Sequence, residues 1–144
     1  MKVFNTKIKD LKIIQQKKHG DARGNLRETY IKKIIKWNEL IFDYATTSKK
    51  NVLRGFHFQS KFKQAKFVTV LKGKILDCVI DLRKKSKTFG KIHKFYLKKN
   101  SILYIPKGFA HGYLCLKDDN KLIYLLSNYR FKKYEKVLNF NDEE

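Results

Sequence analysis

Proline, cysteine and acidic residues are scarce in this chain. One proline, Pro106, and two cysteines, Cys78 and Cys115, occur among 144 residues. No CxxC pattern is present, so the cysteines suggest neither zinc nor a redox pair; they lie in apolar runs, as small buried hydrophobes do. No window approaches the ~20 apolar residues of a membrane span. No apolar stretch follows the charged start of the chain in the manner of a secretory leader. A cytoplasmic protein with no membrane partner is the expectation. Acids are outnumbered, with Asp+Glu 13 against Lys+Arg 34 and a formal net charge of +21. Such an excess points to an anionic partner. The charge is mostly lysine spread along the chain, and arginine occurs only at Arg23, Arg27, Arg54, Arg83 and Arg130. Zinc-finger spacing, RNP-type motifs and basic helices with heptads are all missing. The expected reading is a lysine-rich solvated surface, with no nucleic-acid partner and a field that favours a small anionic substrate.

What is present is globular: 42% of residues are hydrophobic and 14% aromatic. The length suits one domain, 1–144, with room for a real core. Short apolar, β-branched and aromatic runs alternate with turns. Phe67 to Leu71 and Ile75 to Leu82 flank Lys72-Gly73-Lys74, a hairpin signature. Phe95 to Leu97, Ile102 to Ile105 and Leu122 to Leu126 read as further strands. Ile34 to Leu40 fits a helical turn or a strand equally well. Strands this short and regular predict an all-β sandwich or barrel. Asn139 to Glu144 is polar and acidic, with the composition of a frayed end.

One constellation carries chemistry. In a strand reading of Arg54-Gly55-Phe56-His57-Phe58-Gln59, Arg54 and Phe56 point one way and His57 and Gln59 the other, unless Gly55 marks a bulge. His111 lies between Gly108 and Gly112, on what reads as a constrained turn. Lys66 opens an apolar strand, and Tyr129 follows the last one. A lone histidine is more often structural than catalytic. Here a neutral-pH base, a cation and a phenol occur together, as proton abstraction beside a carbonyl requires. Histidine takes the proton, lysine stabilises the enolate, and tyrosine donates to the other face. A metal site is the chemical rival. Its ligands fall short, because His57-Phe58-Gln59 stands where a His-x-His pair is needed and no glutamate occurs between residues 60 and 100. No metal is expected.

Several motifs in one order resemble the dTDP-4-dehydrorhamnose 3,5-epimerase family. Asn51 to Gln59 is similar to its VLRG-(L/F)-H-(Y/F)-Q stretch, and Gln64-Ala65-Lys66-Phe67-Val68 to Q-G-K-L-V. Ile75 to Arg83 and Ser86 to Gly90 resemble F-D-V-A-V-D-(L/I)-R…S-P-T-F-G. Ile105 to Gly112 resembles I-P-E-G-F-A-H-G, and Gly20 to Gly24 resembles G-D-x-R-G. Ser127-Asn128-Tyr129 is similar to T-(N/D)-Y, and Asn141-Asp142-Glu143 to a later W-N-D. The resemblance covers about residues 19 to 143. It implies a cupin-type double-stranded β-helix (jelly roll), a homodimer, no cofactor, and a nucleoside-diphosphate 4-keto-6-deoxy sugar as substrate. It implies His57 as base, Lys66 as enolate stabiliser and Tyr129 as acid. It places Arg23, Arg54 and His111 at the substrate, with Glu28 and Gln59 counted as further contacts; arginine's fork suits a diphosphate. The family's base pairs with an aspartate from a later segment, so Asp77 or a partner subunit is expected to orient His57 here. Tyr44 stands in Asp43-Tyr44-Ala45-Thr46 where the family has Q-D-N-H-S, and Arg27-Glu28 where it prefers aromatics. A 3,4-ketoisomerase begins with the same deprotonation, and a non-catalytic cupin binding a sugar nucleotide is the other alternative.

Overall fold

The computed structural model describes residues 1–36, 39–139 and 141. In chain order its strands are β1 (Lys2–Asn5), β2 (Lys12–Gln15), β3 (Lys18–Asp21), β4 (Gly24–Arg27), β5 (Phe42–Ser48), β6 (Leu53–Gln59), β7 (Lys66–Lys72), β8 (Lys74–Asp81), β9 (Ile92–Lys98), β10 (Ser101–Ile105), β11 (Phe109–Cys115), β12 (Asn120–Leu126) and β13 (Glu135–Val137). A short 3-10 turn, Lys132–Tyr134, precedes β13. One sheet has the order β1-β2-β10-β7-β12-β5, and the other β13-β6-β11-β8-β9. The chain crosses repeatedly between them, and the central pairs are antiparallel. This is a jelly-roll double-stranded β-helix. Among the described residues no helix is long and apolar enough to cross a membrane.

Side-chain alternation explains the layers. Along β8, Ile75, Asp77, Val79 and Asp81 are buried while their neighbours are not. Val68 and Val70 of β7 and Leu103 of β10 meet Ile75 and Val79 in the space between the sheets. The other face of the same strands is also buried. There Phe67, Ile102 and Tyr104 pack under Ile35, Tyr30, Ile34 and Leu40. The ambiguous segment from Ile34 is thus a cover for the six-stranded sheet, formed by turns and irregular backbone; its residues 37 and 38 lie outside the described residues. Cys115 is buried as expected, whereas Cys78 is only half-buried, on the outward side of β8.

The expected turn between β7 and β8 lies at Gly73, whose φ of +92° is one that glycine adopts without strain, but it is not a hairpin: the two strands do not pair, and the turn carries the chain from the six-stranded sheet to the five-stranded one. A second glycine fixes the site. Between His111↔His57 and Tyr113↔Arg54 the register shifts, with three steps on β6 against two on β11. The extra residue lies beside Gly55, which has φ +122°. A Cβ on Gly55 would lie 2.4 Å from the Gly112 Cα and 2.8 Å from the His111 carbonyl oxygen. Both obstacles are backbone and cannot swing aside. Gly55→Ala is expected to destabilise the fold by about 3 kcal/mol, read as a fall in urea midpoint. A midpoint equal to wild type would contradict the packing described.

Candidate active site

The bulge at Gly55 does what the simple strand reading reserved for an exception: it turns Arg54 and His57 toward the same cavity. That cavity, about 720 Å³, opens between the sheets at one end of the barrel and includes both residues in its wall. Lys66, at the start of β7, and Phe42, Tyr44 and Thr46, at alternate positions of β5, line it from the six-stranded sheet. His111 and Tyr113 of β11 line it from the other. Arg130 and Glu135 close its rim.

His57 is partly open, with 45% of its side chain exposed. Its Nδ1 has no hydrogen-bond partner and lies 3.6 Å from Glu135 Oε1. Burial lowers the His57 pKa first; Lys66, Arg130 and His111 push the same way, and Glu135 opposes them. The ring is therefore held as the free base, the form that accepts a proton. Lys66 is buried, and its Nζ donates to the His57 carbonyl oxygen at 3.2 Å. Burial pulls its pKa down to about 8, against the upward pull of Asp77 and Glu135. A desolvated cation thus stands beside the base.

Asp77 is not the carboxylate that orients His57. It is fully buried and bonds His111 Nε2 at 2.8 Å. Burial raises its pKa, while His111 and Lys66 lower it. The alternation of β8 puts Asp77 on the inner face, but its register partner is Tyr113, and His111 on the same strand reaches it first. The carboxylate beside His57 is Glu135, carried in by β13 pairing with β6. Arg130 holds Glu135 through two contacts to Oε2, at 3.0 Å from Nε and 2.7 Å from Nη2. Neither Arg130 nor Glu135 was singled out from sequence. Their signal is long-range pairing, which periodicity does not carry.

Tyr129 also falls outside the cavity wall; it is 56% exposed and packs its ring 6.1 Å from that of Phe42. Two glutamines hold the backbone on either side of it. Gln64 Nε2 donates to the carbonyls of Asn128 at 3.0 Å and Tyr129 at 3.1 Å. Gln59 Nε2 donates to the carbonyls of Phe62 at 2.8 Å and Tyr129 at 3.3 Å, and its Oε1 accepts from the Phe131 amide at 2.7 Å. The clamped backbone leaves both side chains at the exposed rim, Arg130 in the cavity wall and Tyr129 against Phe42. Gln59, expected at the substrate, thus has both ends of its amide committed to main chain.

His111 lies within strand β11 rather than on a turn, and it is buried. Arg54 faces the cavity and donates from Nε to Ser48 Oγ at 2.9 Å. Arg23 and Glu28 are not in its wall. Arg23 stands on the β3–β4 hairpin, which bonds to neither large sheet, and its side chain is 91% exposed beside Asp21. Glu28 follows the hairpin, exposed, its carbonyl accepting from Gln16. Among the described residues no three of His, Cys, Asp and Glu group as metal ligands.

Known proteins resemble this chain over nearly its whole length. The family model described as dTDP-4-dehydrorhamnose 3,5-epimerase matches residues 5–144. The enzyme of that name from Shigella flexneri is 34% identical, over 99% of this chain and 83% of its own length. That from Salmonella typhimurium is 37% identical, over 99% and 82%. A crystal structure of the Bacillus anthracis dTDP-4-dehydrorhamnose 3,5-epimerase with TDP and PPi bound superposes with a TM-score of 0.92 at 32% identity, over 99% of this chain and 86% of that one. A Legionella pneumophila dTDP-6-deoxy-D-glucose-3,5-epimerase in complex with dTDP-4-keto-L-rhamnose gives 0.92 at 34%, over 98% and 79%. This chain belongs to the dTDP-4-dehydrorhamnose 3,5-epimerase family.

Proposed function

We propose that the chain is an isomerase that epimerises a nucleoside-diphosphate 4-keto-6-deoxy sugar, with a dTDP sugar as the first substrate to try. The observation that carries this reading is a free-base His57 opening into the cavity with the Lys66 ammonium beside it. His57 removes the proton from a carbon next to the C4 ketone. Lys66 meets the negative charge that develops on the ketone oxygen, in a dry site where such a contact is strong. Return of a proton on the opposite face inverts the carbon. Arg54 and Arg130 supply guanidinium forks for the diphosphate. The chain's own residues do this work, and no cofactor enters. A cytoplasmic location, where nucleotide sugars are handled, belongs to the same reading.

Incubation with dTDP-4-keto-6-deoxyglucose in deuterated water tests it. Proton NMR should show deuterium entering beside the ketone together with the inverted product. Exchange accompanied by movement of the ketone from C4 to C3 would instead mark a ketoisomerase, and no exchange would leave a binding protein.

A homodimer is part of the same proposal. Arg23 and Glu28 sit away from this chain's own cavity, on and beside a hairpin without sheet partners. Edge strand β1 is exposed along its length, including Phe4 at 51%. A second copy against this side covers the edge and gives the hairpin a neighbour. Light scattering at micromolar concentration should return twice the monomer mass of 17.2 kDa. A monomer mass would remove the dimer from the proposal.

A further inference from the structure

One wall of the cavity takes no part in the chemistry above. Strand β5, at the edge of the six-stranded sheet, sends Phe42, Tyr44 and Thr46 into the cavity at alternate positions. Register fixes their place relative to the lysine. Leu126 of β12 pairs with Lys66 on one side and with Phe42 on the other, so the three share a row. Tyr124 pairs with Val68 and Tyr44 in the next row. Paired strands are spaced so that the backbones of Phe42 and Lys66 stand about 10 Å apart on this wall. A sugar whose ketone oxygen meets Lys66 therefore lies over Tyr124 and reaches toward Phe42 and Tyr44.

The rings there form a continuous surface. Tyr44 lies flat on Tyr124, with centroids 4.7 Å apart and planes 14° from parallel. The Phe42 ring follows at 6.0 Å from Tyr44, and Tyr129 at 6.1 Å from Phe42 extends the surface to the rim. Aligned on Asp43, the family's Q-D-N-H-S stretch carries amides at positions 42 and 44, where this chain has two rings. Phe42 offers a ligand no polar side-chain atom at all.

We propose that Phe42, backed by Tyr44, reads the deoxygenated side of the sugar and sets a preference for a 6-deoxy sugar over its 6-hydroxy counterpart. The inference rests on the epimerase reading above. When His57 takes the proton from C5, that hydrogen points to β6. The tetrahedral carbon then directs its methyl away from β6, and β5 lies across the cavity: Thr46 of β5 and Tyr113, from β11 beside β6, span the two sheets with a 3.0 Å hydrogen bond. A methyl against the Phe42 ring leaves water at a gain. A hydroxyl in the same place leaves water without a partner. An amide at position 42 would supply that partner and cancel the discrimination.

Calorimetric binding of dTDP-6-deoxyglucose and dTDP-glucose tests this. Neither compound has a ketone, so neither reacts, and the ratio of their Kd values is read apart from the proton transfers. Wild type is expected to bind the 6-deoxy compound about 10–10²-fold more tightly. Phe42→Gln should bring the two affinities within about threefold of each other, chiefly by binding dTDP-glucose better. Phe42→Leu keeps the position apolar and should retain most of the preference. Thermal melting of each variant verifies folding. Equal affinities in wild type overturn the proposal, whether or not the variants fold. A preference that survives in folded Phe42→Gln also overturns it, as does one that Phe42→Leu loses as fully as Phe42→Gln. Deuterium exchange on dTDP-4-keto-6-deoxyglucose separates the two readings. Exchange by a wild type with equal affinities overturns the specificity assignment alone, whereas no exchange together with no binding of either compound overturns both.

Discussion

His57→Ala is expected to abolish both deuterium exchange and product formation, with a loss of at least about 10²–10⁴-fold in turnover. Among the described residues, the titratable neighbours of His57 are each engaged elsewhere. Glu135 is held on one oxygen by Arg130. Asp77 is fully buried against His111. Lys66, with its pKa near 8, is mostly a cation at neutral pH and has no free pair to offer. The pH profile carries the same information. Activity needs His57 without its proton and Lys66 with one, so kcat/KM should rise through the lowered His57 pKa and fall near pH 8. Glu135 favours the imidazolium and raises the His57 pKa. Glu135→Gln should therefore move the acid limb to lower pH. Near-normal exchange in His57→Ala would mean that the base is another group.

Lys66→Met is expected to make the protein more stable and nearly inactive. A buried ammonium destabilises the fold, and the shift from 10.5 to about 8 measures how much. At 1.36 kcal/mol per unit this corresponds to about 3 kcal/mol. The sign follows from proton binding. Between about 8 and 10.5 the unfolded chain keeps the lysine proton that the folded chain releases, so stability rises with pH in that window. Below it the full penalty applies. Methionine retains a flexible apolar stem and removes the charge. Asp77 loses a neighbouring cation in the exchange, which offsets part of the gain. A net increase of about 1–3 kcal/mol at pH 7 is expected from urea unfolding. The advantage over wild type should shrink when both are unfolded near pH 10.5. Turnover should fall by about 10²–10³-fold, the loss seen when an oxyanion donor is removed. A destabilised Lys66→Met, or an advantage that does not change with pH, would show that Lys66 is not held under strain of this kind.

The barrel was legible in the sequence because its signals are local. The strand read from Phe67 to Leu71 is β7, Lys66–Lys72, and that read from Ile75 to Leu82 is β8, Lys74–Asp81. Period-two burial and one glycine turn suffice for that. The segment from Ile34 resisted because Ile34, Ile35 and Leu40 serve neither period; they lie as a lid on the outer face of a sheet. That His57 and Lys66 share a cavity follows from strands that converge, β6 and β7, each carrying one of them. What eluded sequence reasoning depends on what meets what. Asp77 is on the inner face as alternation requires, yet which of two histidines it bonds is decided by β11 against β8. Glu135 reaches His57 only because β13 adds to the edge of β6. Tyr129 stands at the rim beside Phe42, and nothing local reveals that two distant glutamines hold its backbone there. The resemblance at Asn141-Asp142-Glu143 falls mostly outside the described residues.

Those glutamines carry a further consequence. Gln59 and Gln64 grip carbonyl and amide groups of residues 128–131, not their side chains. Main-chain groups are the same whatever residue bears them. The path of this rim segment is therefore set in part from outside, by glutamines that do not read its side chains. A rim held this way can exchange side chains while its backbone keeps its course over the mouth of the cavity.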